Sequence, residues 1–143
     1  MTIDMNGKRG LVMGVANNRS IAWGIASAMH KAGAELAFSY QGESLLKRVG
    51  PLAESVGSDT LVEADVMDDA SLDRCFATLK EKWGKIDFLV HAIAYSDKNE
   101  LTGRVSDTSR ANFNATMAIS CFSFIDVARR AAEIMPDGGT LLT

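Results

Sequence analysis

Gly14, Ala16 and Ser20 are the residues of this sequence best placed to do chemistry, and the chemistry they suit is the holding of a phosphate. They stand between a short apolar run, Gly10-Leu11-Val12-Met13, and a segment of helical periodicity. A run of that length reads as a buried strand, and Ser20 is a favoured helix N-cap. The order strand, glycine turn, helix leaves the first helical N–H groups without partners and aims the helix dipole at the turn, which suits an anion. Gly14 would let backbone approach that anion closely, and the small Ala16 and Ser20 would leave room for it. Beyond Ser20, Ile21, Gly24, Ile25, Ala28, Met29 and Ala32 recur at helical spacing, with Gly33 in the place of a C-cap. The G-x-G-x-x-G spacing is absent and no G-K-[ST] follows, which excludes a P-loop and leaves a ligand-free tight turn as the competing reading.

Three other groups could act. Gln41 follows the second strand, Glu35 to Tyr40, where an acidic residue usually holds an adenosine ribose and an arginine favours a 2′-phosphate. Gln41 is neither; its amide can bond ribose hydroxyls without repelling phosphate, and the absence of an arginine there favours NADH over NADPH. Lys47 and Arg48 read as a solvated helix face. Asp65 and Val66 end a third strand, Thr60 to Ala64, at the edge where open parallel sheets bind ligands. Taken alone, Asp65 reads as an ordinary loop aspartate or cap. Asp68 and Asp69 could suggest a metal, but carboxylates in the first turn of the next helix are the favoured reading, and no metal site is expected. His91 invites an acid–base role; no cysteine or serine motif pairs with it, and a packed, hydrogen-bonded histidine is favoured. His30 falls off its apolar stripe and reads as surface.

The elements that must position these groups follow from the rest of the chain. Its 143 residues amount to one domain, 1–143, and the 47% hydrophobic content can bury a core. A net charge of −3 leaves no footprint for nucleic acid or an anionic membrane. No apolar run approaches the roughly 18 residues of a membrane span, and Met1 to Asn6 lacks the regions of a signal peptide. Cys75 and Cys121 are isolated thiols, which fits a reducing, cytoplasmic setting. Ser44 to Val56 reads as a helix broken at Gly50-Pro51, and Leu72, Cys75, Phe76, Leu79 and Trp83 mark another. Ile86 to Val90 form a fourth strand, after which Ala92 and Ala94 flank Ile93; small side chains there let a flat ring lie against the backbone. The polar loop from Ser96 to Gly103 is long enough to cover a pocket. A helix runs from about Ser109 to Met135, ended by Pro136-Asp-Gly-Gly, with Phe113, Met117, Phe122, Phe124 and Val127 spread nearly all round it. That spread suggests burial on more than one side, hence a subunit interface and a homo-oligomer. Thr140 to Thr143 opens a fifth strand, at which the domain is expected to be truncated. The alternation implies an α/β, Rossmann-like doubly wound parallel sheet of order 3-2-1-4-5 in three layers.

The strings Gly14-Val-Ala, Ser20-Ile-Ala-x-Gly24-Ile-Ala and His91-Ala92-Ile93-Ala94-Tyr95 resemble the enoyl-[acyl-carrier-protein] reductases, a divergent branch of the short-chain dehydrogenase/reductase superfamily. The last string matches the pattern H-[SA]-I-[GA]-[FY]. The resemblance covers the whole chain, about the first half of a typical relative. It implies a dinucleotide-binding domain with Gly14, Ala16, Ser20, Ile21, Gln41, Asp65, Val66, Ala92, Ile93 and Ala94 on NADH, with Asp65 and Val66 at the adenine. It places Ala94, Tyr95, Ser96 and Leu101 beside the acyl substrate. The implied reaction passes a hydride from NADH to a trans-2-enoyl thioester carried on acyl carrier protein, in bacterial type II fatty-acid biosynthesis, by a homotetramer. The catalytic residues of such relatives, a regularly spaced tyrosine, tyrosine and lysine, are absent: only Tyr40 and Tyr95 occur, neither with a lysine at that spacing. The resemblance puts them beyond Thr143 and implies that this span alone is inactive. Ser120-Cys-Phe-Ser stands where many members of the wider superfamily carry a catalytic asparagine. Two other readings stay open: a related reductase acting on a carbonyl, and a non-catalytic dinucleotide sensor.

Overall fold

The computed structural model describes residues 3–143; Met1 and Thr2, part of the N-terminus read above for a signal peptide, lie outside the described residues. Five strands, β1 (Arg9–Met13), β2 (Glu35–Tyr40), β3 (Leu61–Glu63), β4 (Phe88–His91) and β5 (Thr140–Leu142), form one parallel sheet in the order β3-β2-β1-β4-β5. Leu11 pairs with Ala37 on one side and Leu89 on the other, and β5 joins through Leu89 and Leu141. Successive side chains on a strand point to opposite faces, and both faces here are apolar. Leu11, Met13 and Leu89 pack with Leu72, Leu79 and Val127 on one side. Val12, Phe38 and Val90 pack with Ala22, Ala26 and Val49 on the other. Helices therefore cover both faces. The expected order and layering hold.

The helices are α1 (Ile21–Lys31), α2 (Gly42–Ser55), α3 (Asp69–Trp83), α4 (Arg110–Met117) and α5 (Ser123–Ala132), with a π turn, Ala118–Phe122, joining the last two. Four expectations need correction. The face that α1 buries is Ala22 and Ala26, with Ile25 and Met29 alongside, whereas Ile21 is 81% exposed and Gly24 and Ala28 are exposed. The packing of α1 on β1 selects the smallest side chains and turns the bulkier Ile21 outward. The second helix is not broken at Gly50-Pro51 but runs through Pro51. Proline crowds the Cβ of the residue before it, and Gly50 has none. The long helix has a different middle: one turn of it is π, and in this chain Phe113, Met117 and Phe122 remain exposed, while Val127 is buried and Phe124 half-buried. The fourth strand also starts later than expected, because Ile86 N–H donates to Ile134 O at 2.9 Å instead of joining the ladder.

Two ties fix the outer helices. Asp68 caps α3, its Oδ1 accepting from Ala70 N–H at 3.0 Å. Arg130 of α5, 6% exposed, donates through Nε to Asp73 at 2.7 Å and through Nη2 to Asp69 at 3.2 Å, and it also pairs with Asp126. Burial works against its charge, but the three carboxylates outweigh that and hold its pKa above the ordinary value.

Candidate functional site

The carboxyl ends of β1 to β4 open into a cleft of about 380 Å³. Its middle is the turn after β1. Gly14 has φ +96°, and a Cβ there would stand 2.0 Å from the carbonyl oxygen of Ala92. Only a residue without a side chain lets the end of β1 pass so close to the end of β4. In this structure, then, the close approach at Gly14 is made to the neighbouring strand end.

Ser20 corrects another expectation. Its backbone is extended, as an N-cap requires, but its hydroxyl does not cap α1. Ser20 Oγ instead accepts from both Ala16 N–H and Asn17 N–H, each at 3.0 Å, and so ties the turn together from behind. The first helical bonds run from Trp23 and Gly24 to Ser20 O, which leaves the N–H groups of Ile21 and Ala22 at the mouth of α1 without backbone partners among the described residues. Those two donors, with the dipole behind them, are what the helix start can offer an anion. Ser20 and Ile21 are not on the cleft wall.

At one end of the cleft stand Gln41 and Asp65. Gln41 is the N-cap of α2 yet makes no side-chain cap bond, and among the described residues its amide has no hydrogen-bond partner. Asp65 accepts from Met67 N–H at 2.9 Å through Oδ1, while its own N–H donates to Ser71 Oγ at 3.0 Å. One carboxylate oxygen is thus tied up in shaping the loop. Val66 lies beside it, packed on the core. Ala92, Ile93, Ala94 and Tyr95 form the other end, with Ile93 also against the core. Of the residues named from sequence, Gly14, Ala16, Gln41, Asp65, Val66, Ala92, Ile93, Ala94 and Tyr95 come together on one wall.

Ser96 and Leu101 do not join them. Ser96 Oγ accepts from Asn112 Nδ2 at 3.0 Å and from Thr116 Oγ1 at 3.1 Å, which fastens the start of the loop to α4. Leu101 is 69% exposed. Sequence reading missed Val15, Leu45, Met67 and Ile119, all of which line the cleft. Leu45 and Met67 sit just past strand ends already marked as ligand-facing, and that was a usable signal. Ile119 reaches the wall from a distant helix, and nothing local announces it.

His91, 2% exposed, is packed and hydrogen-bonded. The Ser123 hydroxyl donates to Ile119 O at 2.5 Å, so its oxygen accepts from His91 Nε2–H at 2.7 Å. In a neutral ring Nδ1 is then an acceptor, and it lies 3.2 Å from Thr143 Oγ1. Burial pushes the pKa of His91 below its ordinary value. Among the described residues no group of three metal-capable side chains clusters anywhere.

A long cleft with a glycine turn in its middle, an amide and a carboxylate at one end and small apolar residues at the other has the shape and polarity of a dinucleotide site. The sequence over residues 14–143 matches the protein-family model described as Enoyl-(Acyl carrier protein) reductase. The chain is 63% identical over 139 residues to "Enoyl-[acyl-carrier-protein] reductase [NADH] 2" of Rhizobium meliloti (strain 1021), covering 97% of this chain and 52% of that protein. The crystal structure of FabI from Candidatus Liberibacter asiaticus superposes with a TM-score of 0.95 at 57% identity, covering 97% of this chain and 54% of that one. The Anaplasma phagocytophilum reductase, solved in complex with NAD, superposes with a TM-score of 0.93 at 52% identity, covering 96% and 52%. The chain spans about half the length of the curated relatives it matches.

Proposed function

We propose that this chain, which belongs to the enoyl-(acyl carrier protein) reductase family, supplies the dinucleotide-binding part of an NADH-dependent enoyl-[acyl-carrier-protein] reductase. The observation that carries this reading is the meeting of the Gly14 turn with the Ala92–Tyr95 stretch across a single cleft. NADH bound there would supply the hydride, delivered to a trans-2-enoyl thioester in bacterial type II fatty-acid biosynthesis.

The chain's own residues hold and orient the reactants. The Gln41 amide would hold the adenosine ribose hydroxyls, and Asp65 would take the adenine amino group in its remaining lone pairs, with Val66 beside it. The unpartnered Ile21 and Ala22 N–H groups would hold the pyrophosphate, while Ser20, bonded to Ala16 N–H, would keep the turn in shape for it. Ala92, Ile93 and Ala94 would give the nicotinamide a close, flat seat that excludes water, and Ala94 and Tyr95 would border the acyl chain. Ser96 acts from behind, through the loop it fastens. NADH is favoured over NADPH because among the described residues no cation lines the Gln41 end and Lys47 is paired with Glu43 at 2.9 Å; a 2′-phosphate there would be left in water. The exposed Phe113, Met117, Phe122 and Ile125 support association of copies, as a homotetramer of the cytoplasm.

The test is NADH oxidation followed with crotonyl thioester on the protein expressed from its complete coding sequence. Turnover with NADH, and less with NADPH, is expected. Absence of oxidation with any enoyl chain length overturns the reading, and oxidation of NADPH with a ketoacyl thioester would redirect it to carbonyl reduction.

A further inference from the structure

The hydroxyl of Ser120 makes two bonds to a single residue of the cleft wall. Ser120 Oγ accepts from Tyr95 N–H at 3.0 Å and donates to Tyr95 O at 3.2 Å. A hydroxyl carries one proton and two lone pairs, so both bonds are made at once. Tyr95 lies beyond the last residue of β4 and has no strand neighbour to hold it. Among the described residues nothing else bonds its N–H or its C=O.

The π turn is what delivers the hydroxyl. π turns are rare, appear as single turns inside α-helices and are frequent at functional sites. Here the Ser123 hydroxyl occupies the carbonyl of Ile119, the acceptor that Ser123 N–H would use in a regular helix, which favours the wider turn. His91 locks Ser123 in place from β4. Ile119 and Ser120, adjacent in the turn, thereby reach the cleft wall and the Tyr95 backbone. A ribose-binding residue belongs at the Gln41 end of such a cleft, so Tyr95 marks the opposite end, where the reacting ring meets substrate.

We infer that Ser120 is a positioning residue: through the Tyr95 backbone it sets the cleft wall at the end where the enoyl thioester meets the nicotinamide. This rests on the function proposed above. The two bonds are near solvent, so water can replace them when the hydroxyl is removed and the fold survives. What is lost is the fixed place of the wall, and reaction rates are sensitive to misplacements of about 1 Å.

The experiment compares wild type, Ser120→Ala, Ser120→Thr and a control, Thr78→Ala, which removes a helical hydroxyl on the exposed side of α3. For Ser120→Ala, kcat/KM for crotonyl thioester is expected to fall about tenfold, while the Kd for NADH moves less than about twofold and the melting temperature stays close to wild type. Ser120→Thr, which keeps the hydroxyl, should recover most of the loss, and Thr78→Ala should show none. An unchanged kcat/KM in Ser120→Ala overturns the inference, as does a loss matched by equal losses in NADH affinity and melting temperature, or a Ser120→Thr variant no better than the alanine. A wild-type protein that binds NADH but turns over no enoyl thioester removes the parent reading and this one with it.

Discussion

At the scale of single residues, His91 shows how surroundings decide what a titratable group does. Its two ring nitrogens are both engaged, and Phe124 meets its ring edge-on at 5.5 Å between centroids. The ring is therefore fixed as a neutral strut between β4 and the π turn. Burial lowers its pKa, so the sign of its effect on stability is set. Below an unfolded-state value of about 6.5, the unfolded chain takes up a proton that the native state refuses. Stability should decline as pH falls from there towards the native pKa, then level off. Melting temperature measured from pH 8 to pH 5, on wild type and His91→Gln, checks this: the variant should be less stable at pH 8 but lose less on acidification. Parallel profiles would show that His91 does not titrate differently in the two states. Cys75 illustrates the same physics, its thiol pushed up to about 12 by burial alone.

At the scale of elements, α5 is held to α3 by one guanidinium. Arg130 and Asp126 are both nearly buried, whereas Asp69 and Asp73 are exposed at their outer sides, so most of the energy resides in the inner pair. Removing one partner of such a pair strands the other's charge, which costs about 3 kcal/mol or more. Arg130→Ala leaves Asp126 with its exposed partner Arg129 at 2.9 Å, so it is expected to lose less than that, about 2 kcal/mol, in urea unfolding. The pair Arg130→Met with Asp126→Leu removes both charges and should recover most of the loss. If the double variant is as unstable as the single one, the cost comes from lost packing of the arginine stem and not from a stranded carboxylate. The same lock fixes α5, and with it the π turn and Ser123, against the sheet.

At the scale of the whole molecule, the helical run from α4 to α5 leaves Phe113, Met117, Phe122 and Ile125 in water at 56%, 44%, 60% and 60% exposure. Side chains of this size, so close along one run, mark an interaction surface more often than a free one. Sedimentation of the protein expressed from its complete coding sequence should show a homo-oligomer, and Phe122→Glu should shift it to smaller species. A wild-type monomer at tens of micromolar would contradict that, and the apolar run would then need another partner. The 1–143 span on its own should give no enoyl turnover, because among the described residues its cleft wall carries no lysine and its ionisable groups are Tyr40, Asp65 and Tyr95.

The sheet order, the layers on both its faces and nine of the cleft residues were legible in the sequence, because parallel strands are short apolar runs and their ligand edge follows from chain direction alone. The Gly14 turn and the Ala92–Tyr95 stretch each announced themselves locally. What sequence could not determine was which hydrogen bond a versatile group would choose. Ser20 has the residue type and place of a cap, yet its hydroxyl turns back to accept from the Ala16 and Asn17 N–H groups of the loop. Ser96 and Leu101 follow the cleft in sequence but not in space, since Asn112 and Thr116 draw Ser96 onto α4. Ile119 joins the cleft and Ser120 reaches the Tyr95 backbone through the π turn, whose register depends on Ser123 meeting a carbonyl in its own helix and a histidine 32 positions earlier. Local pattern fixes strands and turns because their determinants lie within a few residues. The partners of a hydroxyl are fixed by whatever the packed chain brings within about 3 Å of it, and that distance exists only in the folded molecule.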